Sequence, residues 1–207
     1  QQGMFVGDTK MLRAEPNQQG FTVDLLSGND EVRINCQYLI NSGGLHSTAV
    51  AEQIIGLSTA DIATLHWCRG HYFSYTGKSP FKHLIYPVPQ AHGLGIHASL
   101  DVGGQLKFGP DTEYVSALDY KVDPALRETF YQAIKLYFPA VDIERLQPAY
   151  AGIRPKLQGP DDSFRDFVIQ AEPQHQLPGL INLFGIDSPG LTSSLAIAKY
   201  VSQLLHL

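Results

Sequence analysis

The chain has 207 residues, a net charge of -5 and 15 Lys and Arg against 20 Asp and Glu, so it offers no basic face strong enough to hold a phosphate polymer, and nucleic acid is not an expected partner. With 43% hydrophobic and 17% charged residues it is expected to bury a real core, as one domain or two small ones, and disorder is excluded as its main state. Two cysteines, Cys36 and Cys68, are too few and too far apart for a disulfide framework or a four-ligand zinc site, and they point to a reducing compartment, with the cytoplasm as the expectation.

The chain opens Gln1-Gln2-Gly3-Met4, without an initiator Met and without a basic stretch followed by an apolar run. A piece of a longer chain with no signal peptide is therefore expected, and no apolar run is long enough for a transmembrane helix. Residues 4–40 read as a meander: strand-forming residues from Met4 to Arg13, Phe21 to Leu26 and Val32 to Ile34 are separated by Pro16-Asn17-Gln18-Gln19-Gly20 and Ser27-Gly28-Asn29-Asp30. A short strand, Gln37 to Ile40, runs into Asn41-Ser42-Gly43-Gly44, and helical apolar spacing then extends from Leu45 to a glycine stop at Gly56. Strand, small-residue turn and helix form the unit with which α/β folds bring backbone N–H groups to a ligand.

From about residue 67 longer strands are expected. Gly70 to Tyr75 and His83 to Pro89 look extended, the prolines confining the second to an edge or an ending. Ile96 to Leu100 and Gln105 to Phe108, joined through Gly103-Gly104, predict a hairpin. Pro124 to Phe138 predicts an amphipathic helix with Leu126, Phe130, Ile134 and Tyr137 on one stripe. A helical turn near Val141 to Leu146, extended segments at 149–156, 166–169 and 180–184, and a helix from Pro189 to Leu205 complete the chain.

Gly93-Leu94-Gly95-Ile96-His97-Ala98 satisfies the dinucleotide pattern only formally, because Pro87-Val88-Pro89 precedes it and a Gly-Gly hairpin follows. The eight His lack the spacing that zinc enzymes use; His66, Cys68 and His71 come closest and suit a structural role better, so no metal is expected.

Three features carry more chemistry. In Gly185-Ile186-Asp187-Ser188-Pro189-Gly190-Leu191-Thr192-Ser193, Ser188 can cap a helix with Pro189 as its first residue, leaving the N–H groups of Gly190, Leu191 and Thr192 for an electron-rich ligand. An ordinary capped helix packed through Leu191, Leu195, Ala198, Val201 and Leu205 accounts for the pattern equally well. Gly152-Ile153-Arg154-Pro155-Lys156 sets two cations two residues apart, on one face of a strand, which suits a dicarboxylate; a solvated edge strand is the plainer alternative. His97 in an alternating strand is either a buried, hydrogen-bonded His or a catalytic base.

Taken in order, Arg69-Gly70-His71-Tyr72-Phe73, Leu84-Ile85-Tyr86-Pro87-Val88-Pro89, Gly95-Ile96-His97, Phe108-Gly109-Pro110-Asp111, Tyr150-Ala151-Gly152-Ile153-Arg154-Pro155-Lys156 and Gly185 to Ser193 resemble the L-2-hydroxyglutarate dehydrogenase/oxidase group of FAD-dependent oxidoreductases, within the D-amino-acid oxidase-like family. Asn41-Ser42-Gly43-Gly44-Leu45-His46 is similar to the Asn-Ala-Ala-Gly-Leu-His turn that closes the FAD domain in that group, departing at Ser42 and Gly43.

The resemblance implies an α+β fold: an antiparallel or mixed-sheet substrate domain with flanking helices, plus the remaining part of a Rossmann-like FAD domain. It divides the chain into an FAD-domain tail with its meander (residues 1–66), a substrate domain (67–180) and a strand and helix returning to the flavin (181–207). The N-terminal Gly-x-Gly-x-x-Gly turn and acidic ribose ligand are not present. FAD is the implied cofactor, approached by Ser42, Gly43, Gly44 and Leu45 and by Gly185, Ile186, Ser188, Gly190, Leu191 and Thr192. The substrate is a small 2-hydroxy acid whose carboxylate meets Arg154, with Lys156, Tyr72 and His71 nearby and His97 as the base for its hydroxyl proton. Oxidation of an amine is the alternative chemistry, and an isolated fold that neither turns over nor binds flavin tightly is the alternative state of the chain itself.

Overall fold

The computed structural model describes residues 3–88 and 95–207, so Pro89 and the start of the formal glycine pattern, Gly93-Leu94, lie outside the described residues. In chain order the elements are β1 (Thr9–Asn17), β2 (Gly20–Ser27), β3 (Asp30–Cys36), β4 (Leu39–Asn41), α1 (Ser47–Ala51), β5 (His66–Tyr75), β6 (His97–Leu100), β7 (Leu106–Gly109), β8 (Glu113–Val115), α2 (Arg127–Lys135), β9 (Leu146–Lys156), β10 (Val168–Gln170), α3 (Glu172–His175), β11 (Leu180–Phe184) and α4 (Gly190–Leu204). The fold is α+β, with antiparallel and mixed sheets and few helices.

Two compact units divide the chain: Gln1–His66 with Pro155–Leu207, and Trp67–Arg154. The second boundary therefore falls after Arg154, not after residue 180. The cause is strand pairing: β10 runs antiparallel to β11, which runs parallel to β4, so the segment after Arg154 joins the unit that contains β4.

In the first unit β1, β2 and β3 form the expected antiparallel meander, beginning at Thr9 rather than at Met4. Its buried face, with Ala14, Phe21 and Val23, packs on Ile54 and Leu180. The helix expected from Leu45 to Gly56 is cut short. Gly44–His46 is a 3-10 turn, α1 spans five residues, and the chain then leaves the helix because Ala14 draws it into a bridge: Ala14 N–H donates to Gln53 O at 3.0 Å and Ile55 N–H donates to Ala14 O at 2.8 Å. α4 packs through Ile197, Val201 and Leu204 on Ile181 and Leu183 of β11, a narrower contact than the stripe expected, since Leu191 and Leu195 are 89% and 85% exposed.

The second unit is built on a five-stranded sheet ordered β6-β7-β5-β8, with β9 also paired to β5. Phe73, Tyr75, Ala98, Leu106 and Phe108 line its core face and meet Phe130 and Ile134 of α2. Each large side chain removed from water in this way contributes roughly 1.5–3 kcal/mol. Asp123 caps the turn that leads into α2, its carboxylate accepting the Ala125 N–H at 2.9 Å. The β6–β7 hairpin closes on Asp101, whose carboxylate accepts the N–H groups of Gly103 and Gln105. The segment 83–88 touches the sheet through one bridge, Ile85 to Ala98, in keeping with an edge limited by its prolines. Among the described residues no helix is long and apolar enough to cross a membrane, and no three His, Cys, Asp or Glu side chains cluster so as to hold a metal ion.

Candidate active site

Each unit carries one part of the candidate chemistry. In the first, Asn41 at the end of β4 organises the turn that follows. Its amide donates to Ser47 O at 2.8 Å and to Asn182 Oδ1 at 3.0 Å, while its own Oδ1 accepts the Gly43 N–H at 3.2 Å. Asn41 and Asn182 are register partners across the parallel β4–β11 pair, and both are buried. A groove of about 570 Å³ opens beside this turn, lined by Ser42, Gly44, Ile186, Gly190, Ser194 and Ala198 among others.

The groove thus brings together residues from both sequence motifs, Ser42 and Gly190 standing 148 positions apart in the chain, by way of the β4–β11 pairing. Gly43, Leu45, Gly185, Ser188, Leu191 and Thr192 are not among its lining residues. Ser188 does not cap α4 through its side chain: Pro189 occupies the capping position and Gly190 is the first helical residue. The Gly190 N–H is also taken, donating to Asp187 O, so only the next N–H groups of the first turn remain available in the way an open helix end provides. A Cβ at Gly190 would lie 2.5 Å from Ile186 Cγ2, so a side chain there would force Ile186 to shift. A smooth, mostly apolar groove edged by hydroxyl and backbone groups fits the ring of a flavin.

The two cations of the Arg154-Pro155-Lys156 segment part company. Lys156 is engaged by Asp187, Nζ to Oδ2 at 2.8 Å, and so does not stand beside Arg154 as a second free cation. The physical reason is burial: an ammonium only 18% exposed needs a carboxylate partner. Arg154 has no carboxylate partner among the described residues.

In the second unit, strand alternation separates two faces of the sheet. Tyr72, Ser74, His97, Ser99 and Lys107 are opposite in parity to the core residues Phe73, Tyr75, Ala98, Leu106 and Phe108. The Tyr72 ring stacks on Tyr150 with centroids 4.5 Å apart and planes 13° apart, Lys107 Nζ lies 5.4 Å from the Tyr150 centroid, and the His97 ring lies 4.2 Å from that of Tyr86. Burial first, then the neighbouring Tyr150, pushes the Tyr72 phenol above its ordinary value, and the Arg154 guanidinium acts against that shift. Tyr72, Tyr86, His97, Tyr150 and Arg154 therefore belong to one polar, aromatic neighbourhood. His71 does not: it shares the parity of Phe73 and Tyr75, is 1% exposed, and is held by Asp111. Tyr86 and Tyr150 were visible only as parts of longer strings, although period-two counting from Arg154 already sets Tyr150 on its face.

A sheet with a covered core face and a polar aromatic face in one unit, and a small-residue groove at a strand–turn–helix in the other, suit a flavin-dependent oxidoreductase. Over residues 1–204 the chain matches the family described as DAO, FAD dependent oxidoreductase, and it belongs to that family. It is 46% identical over 177 residues to the mitochondrial L-2-hydroxyglutarate dehydrogenase of Arabidopsis thaliana, covering 80% of this chain and 37% of that protein. It is 29% identical over 165 residues to the glycerol 3-phosphate oxidase of Mycoplasma pneumoniae, covering 75% of this chain and 40% of that one. The solved structure of L-alpha-glycerophosphate oxidase from Mycoplasma pneumoniae with FAD bound shares its fold, with a TM-score of 0.76 at 22% identity over 96% of this chain and 50% of that one. The chain spans less than half the length of these curated relatives.

Proposed function

We propose that the chain is the substrate-binding and flavin-facing part of an FAD-dependent enzyme that oxidises a small 2-hydroxy acid of the L-2-hydroxyglutarate type. Arg154 carries this reading: it is a guanidinium without a carboxylate partner among the described residues, in the neighbourhood of Tyr72 and His97. The identity to the plant dehydrogenase supports the choice of a 2-hydroxy acid.

Arg154 holds the substrate carboxylate through a bidentate pair, which fixes the α-carbon in place. Tyr72, its phenol kept protonated by burial, donates a hydrogen bond on the same face. His97 accepts the hydroxyl proton as the alcohol becomes a carbonyl. Tyr150 and Tyr86 cover Tyr72 and His97 and limit water there. FAD, when bound, supplies the acceptor for the hydride; Ser42, Gly44, Ile186 and Gly190 are the residues proposed to meet it.

Calorimetric titration of the chain with L-2-hydroxyglutarate, L-glutamate and glycerol 3-phosphate tests the reading. The hydroxy acid is expected to bind most tightly. Preference for glutamate would indicate amine oxidation instead, and preference for glycerol 3-phosphate would set the substrate class aside.

A further inference from the structure

Two of the sequence strings, Arg69 to Phe73 and Phe108 to Asp111, hold residues that the proposed reaction leaves unused. The structure joins them into one latch. The Asp111 carboxylate accepts the His71 backbone N–H at 2.6 Å, and the His71 ring Nδ1 lies 2.9 Å from Oδ1 and 3.0 Å from Oδ2. A carboxylate offers acceptors only, so Nδ1 carries the proton and donates it. The His71 side chain is 1% exposed and that of Asp111 21%, which shields the bond from competing water. On the same strand Arg69 donates to Glu113 Oε2 at 2.9 Å and 3.2 Å. Between these two anchors Gly70 presents no side chain, and a Cβ there would lie 2.6 Å from Pro110 Cβ. The segment from Pro110 to Glu113 is thereby fastened to β5 on both sides of Gly70.

What this fastening controls is Gly109, the residue before Pro110. In the sheet order β6-β7-β5 it is the register partner of His97, and one step beyond the Phe73–Phe108 pair it meets Tyr72. Its φ is +140°, and a Cβ would lie 2.7 Å from Tyr72 Cδ1 and 2.5 Å from His71 O. The Tyr72 ring therefore lies against bare backbone, and the position of Gly109 sets how far Tyr72 stands from His97.

We propose that His71 and Asp111 are positioning residues, whose mutual bond pins Gly109 and so fixes the spacing of Tyr72 and His97 across the substrate face. The consequence for substrate binding rests on reading that face as a hydroxy-acid site; the consequence for Tyr72 does not.

The test uses the isotopically labelled chain, reading the Tyr72–Tyr150 ring contact by nuclear Overhauser effects and the affinity for L-2-hydroxyglutarate by titration. In His71→Asn the amide nitrogen stands where Nδ1 stood and can still donate to Asp111, whereas the longer amide of His71→Gln reaches toward the Nε2 position and leaves Asp111 without its ring donor. His71→Asn is expected to keep the ring contact and an affinity within about twofold of the parent, while His71→Gln and Asp111→Ala displace the ring and weaken binding roughly tenfold, as loss of a hydrogen bond to a charged group predicts. A folded His71→Gln that keeps the contact and the affinity overturns the proposal. So does a His71→Asn that loses them as fully as His71→Gln, since ring volume and not the bond would then be responsible. Should the parent chain bind no hydroxy acid, the functional reading fails, and the ring contacts of the two His71 variants still decide on the latch.

Discussion

Lys156 Nζ lies 2.8 Å from Asp187 Oδ2, tying the end of β9 to the turn that precedes α4. The side chains are 18% and 11% exposed, so the pair is largely withdrawn from water and its members depend on each other. Arg154, two residues earlier, has no such partner among the described residues. One segment thus supplies a structural cation and a free one.

Removing half of this pair leaves a charge in a poorly hydrated place. Lys156→Ala is expected to lower the stability of the chain by about 2 kcal/mol, and Lys156→Met with Asp187→Leu to recover at least half of that loss. Urea unfolding of the single and double variants measures it. A Lys156→Ala chain as stable as its parent would return Lys156 to the list of candidate substrate ligands.

His175 makes stability depend on pH. It is buried, and its Nδ1 accepts the Leu177 N–H at 3.2 Å, which only the neutral ring can do. Burial holds its pKa below the ordinary 6.5, against a smaller opposing effect from Asp61. Below that value the unfolded chain binds the proton more readily than the folded one. The contribution of His175 is therefore present above about pH 6.5 and is lost as the pH falls. The urea midpoint should drop between about pH 7.5 and about pH 5.5, and drop less in His175→Asn, which keeps an acceptor for Leu177 without titrating.

The Tyr72–Tyr150 stack predicts an optical signal. In Tyr150→Ala the Tyr72 phenol loses both cover and a neighbouring phenol, so its pKa should move down toward the ordinary value near 10. Spectrophotometric titration of tyrosinate in the two proteins checks this, with Tyr72→Phe identifying the step that belongs to Tyr72.

The groove beside Asn41 and Gly190 is proposed to meet the flavin ring. The chain has no Gly-x-Gly-x-x-Gly turn between a strand and a helix to receive a pyrophosphate. FAD and riboflavin are therefore expected to bind the chain weakly and with affinities within about threefold of each other, since both present the same ring to the groove. Tight binding of FAD with a shifted flavin spectrum would contradict this.

Local chemistry was legible in the sequence wherever it was carried by neighbours along the chain. The Phe130 and Ile134 stripe, the Gly103-Gly104 hairpin and the meander turns follow from periodicity and turn residues alone. Elements ruled by distant partners were not legible. The helix after Gly44 stops early because Ala14 bonds to Gln53 and Ile55; Lys156 is neutralised by Asp187, thirty-one positions away in sequence; and the cap expected at Ser188 moved by one residue to Pro189. On the face proposed to bind substrate, Tyr72, His97 and Arg154 are legible from their motifs, whereas Tyr86 and Tyr150 are not, because aromatic stacking is set by sheet order. His71 was placed beside Tyr72 by adjacency, and strand alternation puts the two on opposite faces.

The most direct measurement is the affinity of the chain for L-2-hydroxyglutarate with and without the Arg154 guanidinium. Arg154→Ala, folded and as stable as its parent, should bind it roughly thirtyfold more weakly, the equivalent of about 2 kcal/mol, and Arg154→Lys should recover only part of the loss because an ammonium cannot reproduce the bidentate pair. Equal affinity in the parent and Arg154→Ala would contradict the assignment of this face as the carboxylate site.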